Sequence, residues 1–428
     1  MDPYALIADL RATRAHTRAV ADDLGGAREY GPLLAIVNPP RWEVGHLGWF
    51  QEYWCLRRRS RGLYAPERSD SILPNADGFY NSATVPHDSR WTLPLPAFDE
   101  TLRYRDAVHA RVVERIGSHC DPDDAYFAQL VVRHEDMHAE AFHYTRQTLG
   151  YEAPSVLRRG HPAGERLAGD AEIRGGEFVL GAAEGDDFVF DNEKWAHPVV
   201  VPRFRMARTA VTNAEFSAFL DADGYRRPEF WSIEGWLWLR ERGHDAPTYW
   251  KKIADEWHLR RFDSWVRLPA DEPAMHVSWH EANAYCRYAK RRLPTELEWE
   301  YAALGDDGAG RKRRYPWGDA PWTPAHANLE NATPASVHAY PQGDSPSGIR
   351  QMIGNVWEWT SSAFLPYPGF LRDPYKEYSE PWFGTHQVLR GGAFATSPRI
   401  GRATYRNFFT PDRADVFAGF RTCALEGE

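Results

Sequence analysis

The helical periodicity of this chain stops near Tyr151. Before that point apolar residues recur at helical spacing along four long stretches, Pro3 to Asp23, Arg41 to Arg59, Phe98 to Ile116 and Asp123 to Leu149, the last closed by Gly150, a residue suited to a left-handed helix stop. Four amphipathic helices in succession predict a bundle. Between the second and third lies SDSILPNADGFYNSATVPHDSRWTLPLP, rich in Pro, Asn, Asp and Ser, which reads as a long ordered or lid-like connection. Residues 152–169 then turn to Pro, Gly and Arg with no period, and are read as a linker.

A different grammar occupies 170–428. IRGGEFVLGA reads as strand, turn and strand, and three short helices are announced by capping boxes, Thr212 with Glu215, Ser278 with Glu281 and Thr295 with Glu298. Beyond Ala303 only aromatic segments punctuated by Gly and Pro remain, among them RRYPWGD, IGNVWEWTSS and VLRGGAF. The 18 Trp, 20 Tyr and 21 Phe suit a loop-rich domain pinned by large rings, which bury much area at little rotamer cost. With 428 residues, two such halves make two domains.

Composition narrows the partners. Hydrophobic residues at 43% and charged residues at 26% fit a folded soluble chain, and a net charge of -9 argues against a nucleic-acid platform. No apolar run approaches the roughly 20 residues needed to cross a bilayer. The charged start, MDPYALIADLRATRAH, has no signal-peptide core, so a cytoplasmic location and no membrane partner are expected. Cys55, Cys120, Cys286 and Cys423 are scattered, without metal or disulfide spacing.

The segment His134-Glu135-Asp136-Met137-His138 places two imidazoles at i and i+4, on one face of the fourth helix and suited to adjacent positions on one metal ion. His46, in Trp42-Glu43-Val44-Gly45-His46-Leu47, sits on an otherwise apolar face of the second helix and is expected in the same bundle interior, where facing helices commonly build metal sites. Three readings compete at this point. HEDMH matches the HExxH zinc-peptidase signature with Glu135 as general base, although the helix ends at Gly150 with no third ligand downstream. The histidines are structural in a non-catalytic binding module under the second reading. Under the third they form a mononuclear metal centre.

The second half resembles the formylglycine-generating-enzyme or sulfatase-modifying-factor fold, a C-type-lectin-like fold. The resemblance is carried by Gly175-Gly176-Glu177-Phe178, Val277-Ser278-Trp279, Arg292-Leu293-Pro294-Thr295-Glu296, Gly354-Asn355-Val356-Trp357-Glu358-Trp359, Arg390-Gly391-Gly392 and Gly419-Phe420-Arg421. The paired cysteines of formylglycine enzymes are missing after Gly392, where the chain reads AFATSPRIGRATYRN. Joined to a DinB-like four-helix bundle with an early histidine and His134, His138 and Glu140 in HxxxHxE, this architecture, α+β overall, is similar to the iron-dependent sulfoxide synthases of ergothioneine biosynthesis. That resemblance implies Fe(II) held by His46, His134 and His138, dioxygen as co-substrate and hercynine as acceptor. It also implies Tyr367 and Asn407 as contacts to the hercynine carboxylate, beside Phe408, whose ring suits a quaternary ammonium.

Departures from that family point to the donor. Its gamma-glutamylcysteine users carry an acid where this chain has Phe409, while Arg413 matches their basic donor contact; their catalytic tyrosine is replaced by Phe364, and a common Gln by Met137. The segments NPPRWEVGHLGWFQEYWCLR and NADGFYNSATVPHDSRWTLPLP resemble the selenoneine synthase branch, which uses a selenosugar donor. A sugar donor with Phe364 and Phe409 as stacking platforms is therefore expected over a thiol peptide. No catalytic residue is assigned, Tyr80 being the one candidate proton donor named.

Overall fold

The computed structural model describes the chain except residues 1, 61, 66–67, 157, 186–187, 306–311 and 426–428. It divides into two compact units, Met1–Val156 and Leu157–Glu428.

The first unit is a four-helix bundle with an added turn. Its long helices are α1 (Pro3–Ala21), α2 (Pro40–Cys55), α4 (Phe98–Ser118) and α5 (Pro122–Leu149), with the short α3 (Ala76–Tyr80) between α2 and α4. α1 packs on α4 and α5, and α2 packs on the same two helices. The starts of α1 and α5 are fixed by Asp2 and Asp121, whose carboxylates accept from the Tyr4 and Asp124 amides, and α5 ends on Gly150 at φ 67°. Val20, Val44, Leu47, Phe98, Ala139 and Phe142 meet in its apolar core. α2 stops at Cys55, four residues short of the span expected from periodicity. The physical reason is that Arg57 and Arg58 leave the helix to pair with Asp77 and with Asp123 and Asp124.

The second unit is built from short strands and short helices. One sheet runs in the order β1 (Asp170–Ile173), β4 (Phe204–Ala207), β13 (Cys423–Ala424) and β8 (Arg291–Arg292), so the last strand returns beside one of the first. A second runs β11 (Asn407–Phe409), β10 (Gln387–Arg390), β9 (Trp357–Ala363) and β12 (Ala418–Gly419). β2 (Gly176–Leu180) pairs with β3 (His197–Val201), and β5 (Trp250–Ile253), β6 (Glu256–Arg261) and β7 (Ser264–Arg267) form a meander. The helices are α6 (Asn213–Asp221), α7 (Ile233–Arg242), α8 (Trp279–Tyr288) and α9 (Glu296–Leu304).

All three expected capping boxes are present, at the starts of α6, α8 and α9. The strand, turn and strand of IRGGEFVLGA are present too, but β1 and β2 join different sheets. Gly175 makes that divergence possible, because at φ +70° a Cβ there would lie 2.2 Å from the Val201 carbonyl. α7 has no counterpart in the periodicity reading. Two of its apolar residues, Ile233 and Leu237, are exposed, so it carries a cap at Ser232 and a stop at Gly243 without a buried stripe for the period to reveal.

The motifs of the second unit are structural. Glu358 accepts a bidentate pair from Arg421 Nε and Nη2, each at 2.6 Å, and the Trp299 indole at 2.7 Å, Glu296 takes a bidentate pair from Arg406, and Glu300 pairs with Arg390 and Lys312. These buried carboxylates are matched by the buried Arg390, Arg406 and Arg421 and the half-buried Lys312, as charges removed from water must be. Among the described residues no helix is long and apolar enough to cross a membrane.

Candidate metal centre

His46 faces inward from α2, and His134 and His138 face it from successive turns of α5. One ligand-capable atom from each lies within 4.8 Å of the others. The Nε2 atoms of His46 and His134 are 3.3 Å apart, and the ring centroids of His138 lie 5.2 Å from His46 and 4.5 Å from His134. His46 and His134 are each 2% exposed, whereas the His138 side chain keeps 20%, so the cluster is reached from the His138 side.

Ring orientation is set by neighbours. His46 stacks on Trp42 at 4.9 Å and 9°, and His134 lies flat on Phe50 at 3.5 Å and 3°. The His46 Nδ1 is 2.8 Å from the Tyr80 carbonyl, which can only accept, so Nδ1 carries the hydrogen. Burial, and next to it the His138 ring, hold His46 well below the usual imidazole range; burial and the other two rings do the same to His134. A neutral His46 protonated at Nδ1 presents its Nε2 lone pair to the cluster. The same logic applies to His138, whose Nδ1 donates to Glu43 Oε1 at 2.6 Å.

This arrangement fits a metal ion. Two nitrogens each about 2.1 Å from one ion and at a right angle would stand about 3 Å apart, close to the observed separation of His46 and His134. The donors are three imidazoles and no carboxylate, a set suited to zinc, copper, iron or nickel.

The acidic residues between the two α5 histidines turn away. Glu135 accepts from Arg14 Nε at 2.9 Å and Asp136 from the Thr13 hydroxyl at 2.7 Å, both on α1. The general base that the zinc-peptidase reading requires is thus held by a buried arginine. Glu140 is buried at 8%.

The 69–96 connection forms the support of His46. The Trp42 indole donates to the Phe79 carbonyl at 2.6 Å and the Trp49 indole to Asp77 at 2.6 Å, while Arg57 grips Asp77 at 2.7 and 2.8 Å. α3 is therefore docked on α2, with the Tyr80 carbonyl on His46. The Tyr80 ring fills the slot left by Gly45 and faces Tyr104, and burial pushes its phenol up. What Tyr80 delivers to the cluster is a main-chain oxygen. The sequence marks Tyr80 only through its hydroxyl and does not mark Glu43, although Glu43 stands three residues before His46 and hence on the same helix face.

The other expected residues lie in the second unit. Tyr367 is 6% exposed, its ring under the Arg406 guanidinium at 4.1 Å, and its buried hydroxyl has no hydrogen-bond partner among the described residues. Asn407 and Phe409 are on β11, and the Asn407 Oδ1 takes the Phe408 amide. Phe408 stacks on Phe364 at 4.1 Å and 13°. Phe364 is fully buried under Phe408 and Arg406, which corrects its expected role as a sugar-stacking platform: its faces are already covered. Arg413 donates to both Asp415 oxygens at 2.5 and 2.7 Å and lies over the Phe409 ring at 4.9 Å.

A family model of the sulfatase-modifying factor enzyme 1-like domain matches residues 161–425, and one of the DinB superfamily matches residues 5–142. Hercynine oxygenase of Mycolicibacterium smegmatis is 38% identical over 413 residues, covering 94% of this chain and 93% of that one. That of Mycobacterium tuberculosis is 37% identical over 430 residues, covering 98% of both. The chain belongs to the hercynine oxygenase family. Formylglycine-generating enzyme of Streptomyces coelicolor is 33% identical over 64% of this chain and 96% of its own length, so this chain carries a helical domain in addition to the part the two share. In this member of the hercynine oxygenase family the three converging histidines all belong to that helical domain.

Proposed function

We propose that this chain is a mononuclear non-heme Fe(II) enzyme that uses dioxygen as oxidant to replace a ring C–H bond of the hercynine imidazole by a carbon–chalcogen bond, with a selenosugar as donor and, after elimination of the sugar breaks the selenium–sugar bond, selenoneine as product. The observation that carries the reading is the convergence of His46, His134 and His138, each ring locked by a neighbour, in a relative of hercynine oxygenases. In this reading residues 1–151 are the metal-holding bundle, 152–169 a linker and 170–428 the domain that binds substrate.

Iron(II) held by the three imidazoles would supply the one-electron chemistry that dioxygen requires. The chain's own residues then orient substrate. The unpartnered Tyr367 hydroxyl is a donor available to the hercynine carboxylate, and Asn407, whose oxygen is taken by the Phe408 amide, keeps its NH2 group as a second donor. The Phe408 ring is assigned to the trimethylammonium group. For the donor, Phe409 offers no charge to an amino-acid head group, and the Arg413 guanidinium is neutralised by Asp415. Both facts favour a neutral sugar.

Two measurements test this. Metal content and turnover are compared for the wild type and His46→Ala, which is expected to lose inner-sphere binding and all activity; full activity in the variant, or stoichiometric zinc with peptide hydrolysis, would refute the assignment. Hercynine, iron and dioxygen are then supplied with either a selenosugar or gamma-glutamylcysteine, and products are followed by mass. Preferential turnover of the thiol peptide would move the chain to the ergothioneine branch.

A further inference from the structure

Glu43 is a carboxylate only 1% exposed in the first turn of α2, a helix that buries His46, Gln51 and Glu52 as well among aromatic and aliphatic side chains. A buried carboxylate is costly unless a charge or strong donor satisfies it. The His138 Nδ1 lies 2.6 Å from Oε1, and burial pushes the Arg90 guanidinium down to about 10, a shift the Glu43 carboxylate opposes. Arg90 in turn stacks on Trp42 at 3.8 Å and donates to Asn38 and to the Val85 carbonyl, so it is fixed independently of Glu43. Trp42 is the ring on which His46 lies.

We propose that Glu43 is a positioning residue for the metal centre: its carboxylate holds His138 with the hydrogen on Nδ1 and the Nε2 lone pair aimed at His46 and His134. The inference rests on the ligand assignment proposed above and adds a role for a residue outside the ligand set. Imidazole has two tautomers of similar energy in water, and a partly exposed His138 would sample both. Only the tautomer with the hydrogen on Nδ1 offers a donor atom to the cluster. A carboxylate can only accept, so its place beside Nδ1 removes the other choice. The His46 ring is set in the same way by a main-chain carbonyl, which no substitution at Tyr80 deletes. On His138 the device is a side chain and can be removed.

The test uses the full chain, metal-free, in two assays. Nitrogen NMR of the labelled histidines reads the tautomer of His138, and titration with Co(II), followed by its visible absorption, reads affinity. In Glu43→Ala the His138 signal is expected to move toward the Nε2-protonated form and Co(II) to bind about 10 to 100-fold more weakly. Glu43→Gln, which keeps the volume and an amide oxygen able to accept, is expected to recover most of the tautomer preference and to lose less than about tenfold in affinity. That rescue separates positioning from a general loss of structure, and it remains informative if the alanine variant fails to fold. An unshifted His138 tautomer in a folded Glu43→Ala, or unchanged Co(II) affinity there, would overturn the proposal. So would a Glu43→Gln variant no better than Glu43→Ala. His138→Ala, titrated in parallel, keeps the two layers apart. If it binds Co(II) as tightly as the wild type, the ligand assignment itself falls; if it loses the metal while Glu43→Ala does not, only the role of Glu43 falls.

Discussion

Gly45→Ala is a small change with a calculable effect on the centre. A Cβ at position 45 would sit 2.2 Å from Tyr80 Cε1, 2.3 Å from Cζ and 2.6 Å from the hydroxyl oxygen. Non-bonded carbons rest at about 3.5 to 4 Å, so the ring must retreat by more than about 1 Å. Tyr80 is fully buried and its ring is stiff, which leaves movement of α3 as the way to make room. That movement carries the Tyr80 carbonyl off His46. Overpacking of this kind costs about 1 to 3 kcal/mol, and replacing glycine inside a helix returns about 0.5 to 1 kcal/mol, so a net loss of about 1 to 2 kcal/mol is expected in urea unfolding. The decisive comparison is a double-mutant cycle. Tyr80→Ala alone should cost about 3 to 5 kcal/mol as a large-to-small change, and adding Gly45→Ala to it should cost nothing more, because the clashing ring is gone. Additive losses would refute the steric argument.

Three further outcomes concern paired or buried carboxylates. Glu358→Gln leaves Arg421 buried without its counter-charge and should lower stability by about 3 to 5 kcal/mol in urea unfolding, while replacing both by apolar residues of similar size should recover much of it. Asp191, buried and pushed up to about 6 by desolvation despite the Ser379 hydroxyl, contributes stability that is complete below about pH 4 and lost as pH rises through about 6. Asp191→Asn should abolish that loss of about 2 to 3 kcal/mol, and parallel stability profiles for the two proteins between pH 4 and 7 would refute it. Asp77→Ala removes the acceptor of Trp49 and Arg57 and should speed limited proteolysis within 69–96 at small cost in global stability, since Asp77 is half exposed.

The legible parts of this chain were those whose cause is local. An i, i+4 histidine pair, three capping boxes and the glycine that stops α5 are written in a few consecutive residues, and the structure contains each. The parts that escaped depend on tertiary partners. Tyr80 acts through its carbonyl, which has no residue-specific signal. α2 ends early because Arg57 and Arg58 find carboxylates on other elements. β1 and β2, adjacent in sequence, separate into different sheets because their partners come from distant strands. Phe364 was legible as the loss of a hydroxyl, yet its burial under Phe408 and Arg406 was not, since exposure of an aromatic in a loop is decided by what folds over it.

One turn of α5 explains how the centre keeps its aim. Helical geometry places Glu135 about 100° and Asp136 about 200° around the axis from His134, so the acids of HEDMH must face elsewhere when the histidines face α2. They meet Arg14 and Thr13 on α1. Rotating α5 by one residue position would bring a carboxylate to the ligand cluster and strand Arg14 in the core, where it is 4% exposed and its pKa is already depressed by burial. Breaking such a buried pair costs about 3 to 5 kcal/mol, a large share of the stability of an ordinary domain. The residues that give this segment its peptidase-like spelling therefore act as a rotational key. They fix the helix on α1 so that His134 and His138 meet His46.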